Sequence, residues 1–289
     1  MKKRILVAGG NGQLGKCLQK LQEQYEDEFE FMFTDSGEMD ITSEDQVEEI
    51  FESFRPGFCI NASAYTAVDL AEKEPEKAYA INAEGVCNLA EACRKFNALF
   101  IHVSTDYVFD GETEIPYDED NFTSPLGVYG ASKREGEIMA LEANPHTIIV
   151  RTSWLYSEFN KNFVKTMLHL FEVKNELSVV DDQFGQPTNA NDLAEAIMKM
   201  VRSPYLVYGI YHFSNYPETT WFQFAKKIAE FSGSSIQIHP ITTDQYPTPA
   251  KRPHRSTMSL DKIEEIYRVV PRNWENSLEE CIEILKETV

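Results

Sequence analysis

The segment Arg4-Ile5-Leu6-Val7-Ala8-Gly9-Gly10-Asn11-Gly12-Gln13-Leu14-Gly15 decides the fold. Its first five residues are short, apolar and β-forming, and they run without a break into the glycines. Gly10-x-Gly12-x-x-Gly15 meets the dinucleotide pattern, and Gly9-x-x-Gly12-x-x-Gly15 meets a wider-spaced variant of it. Glycines there permit a tight turn and close approach of the backbone to a ligand. The helix that opens behind them offers unpaired N–H groups to a pyrophosphate. Asp35 stands 20 residues beyond Gly15, at the end of the next β-rich run. A carboxylate in that place accepts hydrogen bonds from an adenosine ribose and repels a 2′-phosphate. No Lys or Arg lies between Asp35 and Ile41 to counter it. The expectation therefore tilts towards NADH, with NADPH left open.

Outward from this loop, Phe29–Thr34, Phe58–Asn61, Leu99–Ser104 and Thr147–Arg151 continue the series of strands that Arg4–Ala8 begins. They are continuously apolar rather than alternating, as in a parallel sheet covered by helices on both faces. Helical patterns fall between them near Gly12–Gln24, Ser43–Phe54, Pro75–Phe96 and Tyr129–Glu142. Thr42 or Ser43 before an acidic turn, and Pro75 before Glu76, are plausible helix starts. This βαβ rhythm predicts an α/β fold: a Rossmann-type doubly wound parallel sheet. After about residue 155 the rhythm loosens. Helical segments near Asn162–Phe171, Asn191–Val201, Thr220–Phe231, Leu260–Ile266 and Ser277–Glu287 alternate with short β candidates and Pro-bearing loops. Residues 1–155 are expected to form the dinucleotide-binding domain, with the chain returning to it around 188–212. Residues 156–289 are expected to be mainly a smaller α/β substrate-binding domain.

The chain has 289 residues, enough for a large core, and its composition is that of a globular protein. No apolar run approaches the ~20 residues of a membrane span, and Ile5–Ala8 is too short for a signal peptide. Cys17, Cys59, Cys87, Cys93 and Cys281 are odd in number and free of C-x-x-C spacing, which predicts reduced thiols and a cytoplasmic protein. The six histidines fall in no ligand pattern, so no metal is expected. A net charge of −20 argues against nucleic acid as a partner but leaves small phosphorylated ligands open. The densest basic cluster is Lys251-Arg252-Pro253-His254-Arg255, either a solvated loop or an anion contact.

The chemistry is carried by Ser104-Thr105-Asp106-Tyr107-Val108-Phe109 and, 24 residues after Thr105, by Tyr129-Gly130-Ala131-Ser132-Lys133. Tyr-x-x-x-Lys alone is weak, since 13 tyrosines and 17 lysines give about one such pair by chance. Position strengthens it. Residues four apart share a helix face, and Thr105 would sit beyond the C-terminal end of its strand, where parallel sheets place their sites. A free Tyr phenol has a pKa near 10, and a neighbouring ammonium lowers it. Tyr129 is then a candidate proton donor to a carbonyl oxygen as hydride reaches the carbon. Thr105 would polarise the same oxygen, and Lys133 would also hold the nicotinamide ribose. The competing reading makes Tyr129 a packing aromatic and Lys133 a solvated charge.

These residues, with Gly9–Gly15, Ser124-Pro125-Leu126 and Asp110-Gly111, resemble the extended short-chain dehydrogenase/reductases. Within that superfamily the chain resembles the dTDP-4-dehydrorhamnose reductase family. The further resemblance lies in Asn61-Ala62-Ser63-Ala64-Tyr65-Thr66-Ala67-Val68-Asp69, Arg151-Thr152-Ser153-Trp154-Leu155-Tyr156, Asn162–Met167, Asp182–Thr188 and Tyr246–Ala250 with Arg252-Pro253. The resemblance implies reduction of the C4 ketone of dTDP-4-dehydro-β-L-rhamnose, a nucleotide sugar, by NADPH or NADH. It implies a cofactor site of Gly9, Gly12, Gln13, Leu14, Asp35, Asp40, Ile41, Ala64, Tyr65, Thr66, Tyr129 and Lys133. Thr105, Asp106, Tyr107 and Trp154 would meet the substrate, and Arg252 would pair with its diphosphate. Trp154 has the competing reading of a core aromatic. Some relatives hold a metal at a dimer contact through an acidic side chain early in the first helix. Lys16-Cys17 stand there instead, so no such metal is expected and a homodimer stays open.

Two alternatives accompany this reading. One is a reductase or epimerase-reductase of another nucleotide 4-keto-6-deoxysugar. Epimerisation calls for an added acid/base pair, and the nearest His to Ser104–Asp110 is His102, on the strand itself. The other is a non-catalytic, nucleotide-binding regulatory subunit of the same fold.

Overall fold

The computed structural model describes residues 2–287. The first half of the chain alternates strands and helices: β1 (Lys3–Ala8), α1 (Gln13–Leu21), β2 (Phe29–Thr34), α2 (Glu44–Phe54), β3 (Phe58–Asn61), α3 (Val68–Ala71), α4 (Pro75–Tyr79), α5 (Gly85–Phe96), β4 (Leu99–Thr105), α6 (Val128–Ala143) and β5 (Thr147–Thr152). The second half contributes β6 (Leu155–Tyr156), α7 (Phe163–Val173), β7 (Glu176–Val180), β8 (Phe184–Gly185), β9 (Thr188–Asn189), α8 (Ala190–Arg202), β10 (Gly209–His212), β11 (Thr219–Thr220), α9 (Trp221–Ser232), β12 (Gln237–Ile241), α10 (Asp261–Tyr267) and α11 (Trp274–Glu287).

One six-stranded sheet dominates, in the order β2-β1-β3-β4-β5-β10, and every pairing in it is parallel. Alternate side chains leave opposite faces of a strand. Ile5, Val7, Ile60, Ile101 and Val150 therefore meet Leu14, Leu18, Leu193 and Ile197 on one face. On the other face Leu6, Cys59, Phe100 and Ile149 meet Val47, Phe51, Val86 and Leu89. Burial on both faces is why the strands read as unbroken apolar runs. A separate core, made only of residues after 155, gathers Tyr156, Phe222, Phe224, Trp274, Leu278 and Ile282. Ile263 and Tyr267 of α10, by contrast, pack with the sheet. Among the described residues, no helix is long and apolar enough to cross a membrane.

The chain runs from β1 outward to β2 and then crosses back to β3 on the far side of β1. The strand order reverses at that point, leaving a crevice at the carboxyl ends of β1 and β3. Helix starts follow the local rules. The Ser43 side chain accepts from Gln46 N at the head of α2, and Pro75 occupies the first turn of α4.

The predicted helix over 75–96 is interrupted. Between α4 and α5 the residues Ala80–Glu84 form a π-helical turn. Asn82 within it is fully buried: its Oδ1 accepts from Tyr65 N at 2.8 Å, and its Nδ2 donates to Tyr65 O at 3.1 Å and to Ser132 Oγ at 3.0 Å. The extra residue in the turn pushes the Asn82 backbone against α6. Only a glycine tolerates this contact, since a Cβ at Gly136 would lie 2.0 Å from the Asn82 carbonyl oxygen. Such turns in helices commonly serve functional sites, and here the bonds to Tyr65 fix the loop after β3.

Candidate active site

A cleft of about 710 Å³ opens at the carboxyl edge of the sheet. Its floor at the N-terminal end is the glycine loop. Gly9 takes φ +84°, and a Cβ there would lie 2.6 Å from Ser63 N, so the loops after β1 and β3 touch. Gly12 precedes α1 without any side-chain cap, which leaves the first-turn N–H groups of the helix uncapped by side chains. A bare helix N-terminus at the mouth of a close-packed glycine turn fits a pyrophosphate. A dinucleotide suits the residues present.

Gly9, Gly12, Gln13, Leu14, Asp35, Asp40, Ile41, Ala64 and Thr66 all line this cleft. The Asp35 carboxylate is held by Gly37 N on Oδ1 at 2.8 Å and by the Asn11 amide on Oδ2. Asp40 accepts from the Thr42 hydroxyl at 2.8 Å. Gln13 reaches across to the second half of the chain, accepting from Ser157 Oγ and Asn162 Nδ2, each at 3.0 Å. Tyr65 does not line the cleft; its side chain is buried and its hydroxyl donates to Glu74 at 3.0 Å.

Thr105, Tyr129 and Lys133 come together in the same cleft. Thr105 ends β4, while Tyr129 and Lys133 lie one turn apart on α6. The Thr105 hydroxyl donates to Asp106 Oδ1 at 3.0 Å and accepts from Tyr107 N at 3.2 Å. Burial pushes the Tyr129 phenol up to about 12; its hydrogen bond with Thr105 works against this rise and the Asp106 charge adds to it. Burial pulls the Lys133 amine down to about 7, opposed by Glu137. Its Nζ donates to Val103 O at 2.8 Å and lies 3.1 Å from His102 Nε2. The pairing pictured from sequence, an ammonium lowering a phenol, is thus not the arrangement seen. Lys133 is turned down to the strand below it, and desolvation governs both groups.

Asp106, Tyr107 and Trp154 line the cleft as well. Asp106 is buried, accepts from Ser256 Oγ at 2.5 Å, and is pushed up to about 6 by desolvation. The Tyr107 ring meets the Tyr129 ring edge-on at 5.7 Å. Trp154 sits in the left-handed region at φ +47°, stacked on Trp221 with ring centroids 3.6 Å apart. Arg252 stands outside the cleft lining, its guanidinium forked onto Asp69 at 2.6 and 2.8 Å. Sequence reading missed Asn11, Ser63 and Trp221 in the lining and Asn61, Asn82 and His102 beneath it. For His102 a signal existed: a polar side chain inside Leu99-Phe100-Ile101-His102-Val103, on a strand covered on both faces, must find a hydrogen-bond partner.

Fold and site together define a Rossmann-type oxidoreductase of the short-chain dehydrogenase/reductase class. The family model for the RmlD substrate binding domain matches residues 2–287. A dTDP-4-dehydrorhamnose reductase of Aggregatibacter actinomycetemcomitans is 43% identical over 287 residues, covering 95% of this chain and 97% of that protein. Another, from Sinorhizobium fredii, is 41% identical over 283 residues, 95% of each. The crystal structure of the Bacillus anthracis dTDP-4-dehydrorhamnose reductase, in complex with NADP, superposes with a TM-score of 0.94 at 39% identity, covering 98% of this chain and all of that one. The chain belongs to the dTDP-4-dehydrorhamnose reductase family.

Proposed function

We propose that this protein reduces the C4 ketone of dTDP-4-dehydro-β-L-rhamnose to give dTDP-L-rhamnose, with NADPH or NADH as reductant. The observation that carries the reading is the meeting of Thr105, Tyr129 and Lys133 in one cleft with the glycine loop, in a chain of this family. The glycine loop, Gln13 and Leu14 would hold the pyrophosphate, and Asp35 the adenosine ribose. Asp40, Ile41, Ala64 and Thr66 would line the rest of the cofactor. The bound nicotinamide supplies the hydride.

The chain's own residues manage the proton. A phenol pushed up to about 12 stays protonated at neutral pH, which suits Tyr129 as the donor to the ketone oxygen. Thr105 would turn its hydroxyl from Asp106 to that oxygen and share the developing charge. The indole of Trp154, backed by Trp221, offers a flat apolar wall to a deoxysugar or base. Asp106 and Tyr107 would complete the sugar pocket, and Arg252 would leave Asp69 to reach the diphosphate. In this reading residues 1–155, with 188–212, bind the cofactor, and the remainder mainly the nucleotide sugar.

Asp35 favours NADH, whereas the Bacillus anthracis relative is described with NADP, so both stay in the proposal. The test follows nicotinamide absorbance when the protein meets dTDP-4-dehydro-β-L-rhamnose, with NADPH and NADH separately and a GDP-4-keto-6-deoxyhexose alongside. Oxidation with the dTDP sugar is expected. Oxidation only with the GDP sugar would redirect the assignment, and silence with both would leave a nucleotide-binding protein without this activity.

A further inference from the structure

His102 lies fully buried on β4, its ring stacked on Phe100 at 6.0 Å. Three contacts decide where its proton sits. Ser63 N donates to Asn61 Oδ1 at 3.0 Å, and the Ser63 hydroxyl donates to the same oxygen at 2.5 Å. A backbone N–H can only donate, so the orientation of the Asn61 amide is settled. Asn61 Nδ2 therefore faces His102 Nδ1, at 3.1 Å, and donates to it. Burial, aided by Lys133, holds His102 far below the usual imidazole range and hence neutral. A neutral imidazole that accepts at Nδ1 carries its proton on Nε2. That N–H points at Lys133 Nζ, 3.1 Å away.

An ammonium is donor-only, whereas an amine has a lone pair. We propose that Asn61 and His102 form a tautomer lock that holds the Lys133 side chain as an amine on the floor of the cleft. His102 is then a positioning residue for the reduction, an inference that rests on the function assigned above. As an amine, Lys133 accepts from His102, donates one N–H to Val103 O at 2.8 Å, and keeps the other for the cleft it lines. As an ammonium it would face a second donor. Moving the imidazole proton to Nδ1 relieves that clash only by setting an N–H against the Asn61 amide N–H. Either state leaves a buried polar group badly paired, which costs about 1–3 kcal/mol.

The other charged groups around Lys133 have been accounted for. Glu137, one turn along α6, favours the ammonium. It is itself forked onto Arg151 of β5 at 2.9 and 2.7 Å, which offsets its charge. Tyr129 lies one turn before, and Asp106 stands at the end of β4 beside Thr105. From β3 and the loop after it come only the uncharged Asn61 and Ser63.

The test is nitrogen NMR of the full-length protein with 15N-labelled histidine, without substrate. His146, His169, His239 and His254 are exposed and titrate in the ordinary way. His212, the second buried ring, receives Arg151 Nη1 at Nε2 at 3.4 Å, and so carries its proton on Nδ1. The prediction is one buried ring of each tautomer, with His102 the Nε2–H form from pH 6 to 9. Its shifts should step near pH 7 as Lys133 takes up a proton. An Nδ1–H form or an imidazolium at His102 overturns the lock. Asn61→Asp replaces the donor facing Nδ1 with an acceptor. It should move the imidazole proton to Nδ1 and shift the step upward by about one pH unit or more. The corresponding limb of the kcat–pH profile should move with it. A role confined to packing would lower kcat equally at all pH and leave the step in place, which refutes the proposal. The spectrum of the unmodified protein decides the tautomer even if the variant fails to fold. The expected tautomer without turnover of the dTDP sugar would support the lock and count only against the assigned function.

Discussion

Replacing Lys133 by methionine preserves the side chain's reach and removes its titration, and the consequence for stability can be worked out in sign and size. Lys133 is 1% exposed, and burial brings its amine from the ordinary 10.5 down to about 7. Unfolding returns it to water and to the ordinary value. Between pH 7 and 10.5 the unfolded chain thus holds a proton that the folded chain has released, and stability rises with pH across that window. Below about 7 both states are protonated and the penalty on the folded state is constant; above 10.5 neither state is. At about 1.4 kcal/mol per pH unit, the full swing is on the order of 5 kcal/mol. Methionine exchanges no proton, so subtracting the variant's stability cancels every tyrosine and cysteine that titrates alike in both proteins. The variant also loses the bonds to Val103 O and His102, but that loss is an offset independent of pH. The assay is urea unfolding from pH 6.5 to 10, followed by fluorescence of Trp154, Trp221 and Trp274. The wild type should gain several kcal/mol on Lys133→Met as the pH rises. Parallel curves would mean that Lys133 keeps its charge when folded, and the desolvation argument would be wrong.

The other predictions concern the cofactor, the substrate and the scaffold. Tyr129→Phe should cut kcat by about 10²–10⁴-fold with cofactor affinity nearly unchanged, measured by titration calorimetry; full activity would remove Tyr129 as proton donor. Asp35→Ala should raise the NADPH-to-NADH ratio of kcat/KM by about tenfold, the effect of roughly 1.4 kcal/mol of like-charge repulsion. An unmoved ratio would mean that Asp35 does not face the ribose 2′ position. Gly136→Ala forces a Cβ to within 2.0 Å of Asn82 O and should cost about 1–3 kcal/mol of stability, together with a higher cofactor KM because Asn82 holds the loop at Tyr65; an unchanged melting temperature refutes it. Arg252→Ala should raise the KM for the sugar nucleotide while Asp69→Asn does not, and an equal rise in both would make the Arg252–Asp69 fork a clasp between loops and nothing more.

The nucleotide half was legible because its physics is local. An apolar run covered on both faces, a glycine turn and a helix start each leave a mark within a dozen residues, and β2 and β3 begin and end where the pattern says. Thr105, Tyr129 and Lys133 were found for the same reason, two of them by helix spacing. What escaped detection depends on partners distant in sequence. The interruption at Ala80–Glu84 arises from Asn82 meeting Tyr65, Ser132 and Gly136, and nothing within Pro75–Phe96 announces it. The orientation of Lys133 depends on His102 and Val103, 30 and 31 residues away. Arg252 looked free for a diphosphate because Asp69, its partner, lies 183 residues earlier.

Burial reorders the acids of this site. In water a lysine ammonium, at about 10.4, is a slightly weaker acid than a tyrosine phenol, at about 10. Here the phenol of Tyr129 lies near 12 and the ammonium of Lys133 near 7. One environment drives the two apart because desolvation penalises charge, and the charged form is the base for tyrosine but the acid for lysine. A phenolate left on Tyr129 after it has given its proton away would therefore draw one from protonated Lys133 strongly downhill. A group near 7 recovers that proton readily from neutral water. The Arg151–Glu137 fork sharpens the effect: with its charge answered by Arg151, Glu137 cannot restore Lys133 to its ordinary range. On this argument the charged pair beneath α6 matters to the reaction because it leaves desolvation unopposed, and the Asn61–His102 pair sets the point about which the lysine exchanges its proton.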